Sequence, residues 1–151
     1  MKLVKSKAYD MHNKKHNQPH FVIQEHQARQ HHYDLGLEID GKLIMWLIPK
    51  GLSNVINEKH LAIRTRNKPL SFLNFEGIIP EDEYGAGKVK TYDKGSYEPH
   101  MKENTMKQGL AEGAIKFHLH GKKYKGNYAL ALMGEPNGQE KWLIYKTKDQ
   151  K

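Results

Sequence analysis

The chain has 151 residues, is 37% hydrophobic, and carries a formal net charge of +8 from 25 Lys and Arg against 17 Asp and Glu. That length suits a single domain with a modest core, and no apolar run approaches the roughly 18 residues of a membrane helix. The basic start, Met1 to Asp10, lacks the apolar stretch of a secretory leader, and the absence of cysteine excludes disulfides and thiolate metal sites and fits a reducing cytoplasm.

Residues 1–20 hold five Lys and one Asp, show no sustained period and contain Pro19. They are expected to form a flexible basic arm ahead of a folded domain over 21–149. Residues 141–151 hold four Lys and one Asp. Both ends therefore offer positive charge to a polyanion, or simply keep the chain soluble. His12, His16 and His20 have the spacing of a metal clip on a helix, but Pro19 argues against a helix there, so solvated rings are expected.

From Phe21 the chain reads as strands punctuated by turns. Phe21 to Gln24 is a short strand, and His32 to Ile39 alternates strictly, with Tyr33, Leu35, Leu37 and Ile39 on one face. Asp40-Gly41 is a tight hairpin signal, and Lys42 to Ile48 returns as a third strand, ended by Pro49-Lys50-Gly51. His60 to Arg66 and Gly87 to Tyr92 alternate as well, with Asp93-Lys94-Gly95 read as a turn before Ser96 to Glu98. Met101 to Gly113 holds the one candidate helix, short at best. Ala114 to His120, Tyr124 to Met133 and Lys141 to Thr147 complete the strands, with Lys116, His118 and His120 sharing a polar face. Short strands broken by turns every ~8–12 residues predict an all-β fold, a barrel or sandwich, with at most one or two short helices. Trp46, Trp142, Tyr92 and Tyr145 fall inside these strands and read as core.

The chemistry concentrates at His26, His32 and Asp34, a His-x5-His-x-Asp spacing at the mouth of a strand. His32 and Asp34 project side by side from one strand face, and His26 returns to them across the turn Gln27 to Gln30. Two imidazoles and a carboxylate suit Mn²⁺ or Zn²⁺ better than Mg²⁺ or Ca²⁺, which prefer oxygen shells. The competing reading is an amphipathic strand whose outer face happens to be polar.

The sequence resembles the 3′-phosphoesterase module associated with bacterial and archaeal DNA ligase D, a family that includes free-standing small proteins. The resemblance begins at Phe21-Val22-Ile23-Gln24-Glu25-His26. It runs on through His32-Tyr33-Asp34-Leu35, Leu37 to Gly41 and Trp46 to Gly51. It is strongest at Phe75-Glu76-Gly77-Ile78-Ile79-Pro80, followed by Tyr84-Gly85-Ala86-Gly87, Tyr92 to Gly95, Phe117 to Gly126 and Trp142 to Lys146. The ordered match covers roughly residues 21–149. It implies an antiparallel β-barrel whose hollow interior or rim holds the active site. The implied activity removes a 3′-terminal ribonucleoside and then the remaining 3′-phosphate in DNA repair, supported by Mn²⁺, with Zn²⁺ or another divalent transition metal as alternatives. By position the metal ligands and catalytic residues fall on His26, His32 and Asp34. The implied partners are DNA or RNA–DNA 3′ ends and a DNA ligase or polymerase, with no membrane, for a cytoplasmic monomer.

Several family positions differ. Gly36 stands where the family has an Arg, on the face shared with His32 and Asp34. Lys68 and Phe72 replace a His and a Tyr flanking Pro69-Leu70, and His60 replaces an Arg, whereas Lys50 is retained. Lys50, Lys68 and Arg66 are the candidate phosphate-binding residues, with Arg64 a further cation if Arg64, Arg66 and Lys68 line one strand face. Glu76 is either a carboxylate that orients a ligating His or a structural cap, and Glu81-Asp82-Glu83 is expected to be solvated. Because much of the phosphate pocket is replaced, the alternative is a catalytically inactive relative that binds nucleic-acid ends or a repair protein.

Overall fold

The structure, a computed structural model, describes residues 18–148. The expected arm over 1–20 lies almost wholly outside the described residues, as do His12 and His16; His20 opens the first strand, largely exposed, beside Glu38.

The strands are β1 (His20–Gln27), β2 (His31–Ile39), β3 (Lys42–Ile48), β4 (His60–Arg64), β5 (Gly77–Ile79), β6 (Gly87–Pro99), β7 (Ala114–His120), β8 (Lys125–Gly134) and β9 (Lys141–Lys146). Among the described residues one α-helix, α1 (Met106–Glu112), precedes β7. Eight strands close an antiparallel barrel in the order β1-β2-β3-β4-β9-β8-β7-β6, with β6 returning to β1. The ninth, β5, is an outrigger paired to the start of β6. Closure removes the free edges that an open sheet would expose.

Local chemistry accounts for several joints. Asp40 and Gly41 both have positive φ (54° and 78°), the conformation a two-residue hairpin requires. Helix α1 starts only at Met106, because Thr105 and Gln108 form a reciprocal capping box there. Asp93-Lys94-Gly95 does not turn: β6 runs through it, with a bulge opposite Ile23/Gln24. Asp93 is instead a buried clamp. Its carboxylate accepts from the backbone N–H groups of Lys94, Lys122, Lys123 and Tyr124 at 2.9–3.0 Å, which ties the β7–β8 loop to β6.

Alternation assigns the faces. Phe21, Ile23, Leu35, Leu37, Ile44 and Trp46 point inward and meet Tyr97, Phe117, Tyr128 and Trp142. Trp46 and Trp142 are fully buried and meet edge to face at 5.7 Å, as the core reading required. Tyr92 packs at the margin of this core, and Tyr145 lies half-buried under Lys59. The barrel interior is therefore filled, not hollow. The even-numbered residues of β1 and β2 face outward together with the odd-numbered ones of β3. There Val22, Leu43 and Met45 form a second, smaller apolar cluster roofed by the 3₁₀ turn Leu70–Asn74.

Candidate metal centre

Antiparallel pairing of β1 and β2 sets His26 opposite His32 and Gln24 opposite Asp34. All four side chains leave the outer face of the barrel near one rim, so the site lies against the wall and not inside it. His26 Nδ1 stands 2.9 Å from Asp34 Oδ2, and His32 Nε2 stands 3.3 Å from Asp34 Oδ1. One donor atom from each of the three residues falls within 4.8 Å of the others.

Two backbone carbonyls aim the rings. His26 Nε2 donates to Ala86 O at 3.0 Å, and His32 Nδ1 donates to Gln30 O at 3.1 Å. Each bond ties down the far nitrogen, so His26 Nδ1 and His32 Nε2 are the ring nitrogens that face Asp34, free to donate a proton to the carboxylate or, deprotonated, to offer a lone pair to a metal. Glycine at 87 makes the first bond achievable. A Cβ there would collide with the Gln27 carbonyl, and its absence lets β6 begin tight against the end of β1, beside Ala86. Glu76 does not touch either ring; its Oε2 caps Thr91 N at 2.8 Å, which is the structural alternative.

The charges are coupled. Hydrogen bonding to the Asp34 carboxylate raises the His26 pKa above 6.5, against the opposing effect of burial. Burial pushes the Asp34 carboxyl up, but the hydrogen bonds and charge of the two imidazoles outweigh it and hold the group below 3.8. A half-buried carboxylate faced by two imidazole nitrogens, with both outer N–H groups tied down, is a donor set that fits a divalent transition metal once the inner protons leave.

A cavity of about 340 Å³ opens beside the three residues. Its wall is mainly apolar, from Met45, Leu47, Phe72, Ile79 and Val89, with Arg29, Lys68 and Tyr84 adding polarity. Gln24 also lines it, 1% exposed; its Nε2 donates to Phe72 O at 3.2 Å, and its Oε1 has no hydrogen-bond partner among the described residues. Sequence reasoning passed over Gln24, because a polar residue on the outer face of a short strand reads as solvated. It also passed over Arg29, which lies within the Gln27–Gln30 turn, where no periodicity marks a side chain.

Of the three candidate phosphate ligands, the structure brings Lys68 to the cavity, its ammonium 4.9 Å from the Phe72 ring centroid. Arg66 lies over the Tyr84 ring at 3.9 Å, in an adjoining cleft that shares Thr65 and Tyr84 with the cavity. Lys50 is exposed in the turn after β3 and is not among the cavity-lining residues. Arg64, Arg66 and Lys68 do not share a strand face, because β4 stops at Arg64, which turns to Glu140 at 3.5 Å. His60 is held by Gly51 O and Glu58. At Gly36 a Cβ would meet Met45 Sδ at 2.8 Å and Leu43 Cγ at 3.0 Å, so side chains from β3 fill the space above it. Glu81, Asp82 and Glu83 are exposed, as expected.

Comparison with known proteins gives a consistent match. The model of the DNA Ligase D 3′-phosphoesterase domain matches residues 24–132. The multifunctional non-homologous end joining DNA repair protein LigD of Mycobacterium tuberculosis is 44% identical over 134 residues, 87% of this chain and 16% of that relative. The corresponding protein of Mycolicibacterium smegmatis is 43% identical over 138 residues, 89% of this chain and 18% of its own. That of Pseudomonas aeruginosa is 36% identical over 129 residues, 85% and 15% respectively. The chain thus spans less than a fifth of the length of each of these relatives.

Proposed function

The chain belongs to the DNA ligase D 3′-phosphoesterase domain family, and from that premise we propose that it is a divalent-metal-dependent phosphoesterase acting on the 3′ ends of DNA or RNA–DNA strands in end-joining repair. The observation that carries the reading is the convergence of His26 Nδ1, His32 Nε2 and an Asp34 oxygen, each ring oriented by a bond from its other nitrogen to a backbone carbonyl. Mn²⁺ is the expected ion, with Zn²⁺ the alternative. When bound, such an ion polarises a phosphoryl oxygen and lowers the pKa of water.

The residues around it divide the remaining work. Asp34 supplies the negative charge that holds the ion, and Ala86 O and Gln30 O keep the two imidazoles from turning away. Lys68 and Arg29, both in the cavity wall, would present positive charge to the phosphate. Gln24 Oε1 is a buried acceptor awaiting a donor, the role a sugar hydroxyl of a terminal ribonucleoside would fill. The apolar wall excludes water from the leaving nucleoside. A 3′-phosphate and 3′-ribonucleotide release assay on a primer-template with Mn²⁺ tests the proposal. Activity lost in His32→Ala supports it, and release unchanged by that substitution refutes it.

A second reading is a non-catalytic relative that binds strand ends or a ligase or polymerase partner. It is favoured by one observation: Met45 and Leu43 occupy the space above Gly36, where the resemblance places a guanidinium. Salt-dependent DNA binding without turnover under any divalent ion distinguishes it.

A further inference from the structure

The barrel carries a second concentration of ligating side chains on the outer wall, where β6 meets β7. His118 and His120 both point outward from β7, and their ring centroids are 4.8 Å apart. His100, just beyond β6, brings its ring to 5.5 Å from His118. Glu98 on β6 pairs in register with His118, and its Oε2 accepts from His120 Nε2 at 3.1 Å. None of these residues takes part in the His26 centre.

His118 is prepared as a ligand in the same way as the rings of that centre. On its other flank stands Asn127 of β8, buried and in register with it. Asn127 Oδ1 accepts from His118 Nδ1 at 2.6 Å, and the amide orientation is set by Nδ2, which donates to Lys148 O at 3.5 Å. The proton therefore sits on Nδ1, leaving Nε2 with its lone pair.

We propose that Glu98, His118 and His120, with His100 at the margin, form a second metal site that takes a nitrogen-preferring divalent ion such as Zn²⁺ or Ni²⁺. A His-x-His pair on one strand face places two imidazoles on the same side of the sheet, and the carboxylate across the ladder supplies the charge. The donor atoms of all three do not yet converge; only His120 Nε2 and Glu98 Oε2 touch, and because both side chains are about half exposed, closing the site requires a change of rotamer there and no movement of the backbone. Lys116 shares the face and Lys125 stands opposite His120 in register. Their charge selects against weakly bound oxygen-preferring ions and leaves ions with high imidazole affinity. The site bridges a short seam, since β6 and β7 pair only from Ser96 to Pro99. An ion there would staple the two strands together.

The test uses the full chain, freed of metal by chelation and titrated calorimetrically with Zn²⁺ or Ni²⁺ alone. The wild type is expected to take two equivalents and His32→Ala one. In the His32→Ala background, adding His120→Ala is expected to weaken the remaining equivalent at least tenfold and to remove a Zn²⁺-dependent rise in Tm. His120 is used because its exposed ring can be lost without unfolding, whereas His118→Ala strips a partner from buried Asn127. An equivalent that persists unchanged in His32→Ala/His118→Ala/His120→Ala overturns the proposal, and so does a His32→Ala protein that binds neither ion. Neither readout depends on phosphoesterase activity, so failure here leaves the function of the His26 centre untouched.

Discussion

His26 donates its Nε2–H to the carbonyl of Ala86, 60 residues further along the chain, at 3.0 Å. That bond couples the aim of the first candidate metal ligand to the tight start of β6 at Gly87. Gly87→Ala should therefore push Ala86 away from His26 without touching any ligand. Mn²⁺ affinity measured by calorimetry is expected to fall about 10–100-fold, the usual cost of losing a partner that orients a ligating His, while the far-ultraviolet circular dichroism spectrum is retained. An unchanged Kd in a folded Gly87→Ala protein would remove Ala86 from the site.

Protons and metal compete for His26 Nδ1. The His26 pKa is raised above 6.5 by Asp34, so the metal-free pair stabilises the fold most fully below 6.5, and that contribution is lost as pH rises through the raised value. Metal binding has the opposite sign. Below the raised pKa each unit of acidification should cost about tenfold in Mn²⁺ affinity, because one proton must leave. Asp34, held below 3.8, stays ionised across this range. Calorimetry in two buffers of different ionisation enthalpy should report release of about one proton below that pKa and none well above it.

Restoring the family guanidinium needs room as well as charge. Gly36→Arg alone meets Met45 Sδ and Leu43, so it is expected to lower Tm and leave 3′-phosphate release unimproved. Gly36→Arg with Met45→Ala and Phe72→Tyr clears the space and returns a hydroxyl. A gain of about 10²-fold in release is expected, the scale of one charge-assisted phosphate contact. No gain in the folded triple variant would show that Gly36 and Phe72 do not limit release.

Gln24→Leu keeps the approximate volume and removes the orphan acceptor. Release of a terminal ribonucleoside should fall by about 1–3 kcal/mol in transition-state binding, the cost of a lost hydrogen bond in a buried site. Removal of a plain 3′-phosphate should change much less. Equal losses on both substrates would show that Gln24 serves only to hold Phe72.

Asp93→Ala tests the clamp. Four backbone N–H groups lose a carboxylate acceptor, and leaving buried donors unpaired costs about 1–3 kcal/mol each before water re-enters. A loss of at least ~3 kcal/mol in urea unfolding is expected, with Asp93→Asn intermediate because it retains one acceptor oxygen. A loss below about 0.5 kcal/mol, ordinary for a surface position, would show that the clamp contributes little.

The sequence by itself determined what repeats locally. Alternation from His32 to Ile39 placed His32 and Asp34 on one face, Asp40-Gly41 set the hairpin, and spacing with His26 named the candidate ligands. A strand's period of two is carried by each residue's own backbone, so no distant contact is needed to read it. Tertiary structure decided the rest: which wall of the barrel bears the site, that Ala86 O rather than Glu76 orients His26, that Gln24 faces a cavity with an unpaired oxygen, and that Asp93 clamps a loop where a turn was expected. Each of these joins a side chain to backbone groups brought close only by strand pairing and packing in the folded barrel, across 29 to 60 residues of chain for Asp93, Gln24 and His26. Only packing shows what fills the space above Gly36, because a glycine carries no side chain from which to infer its neighbours.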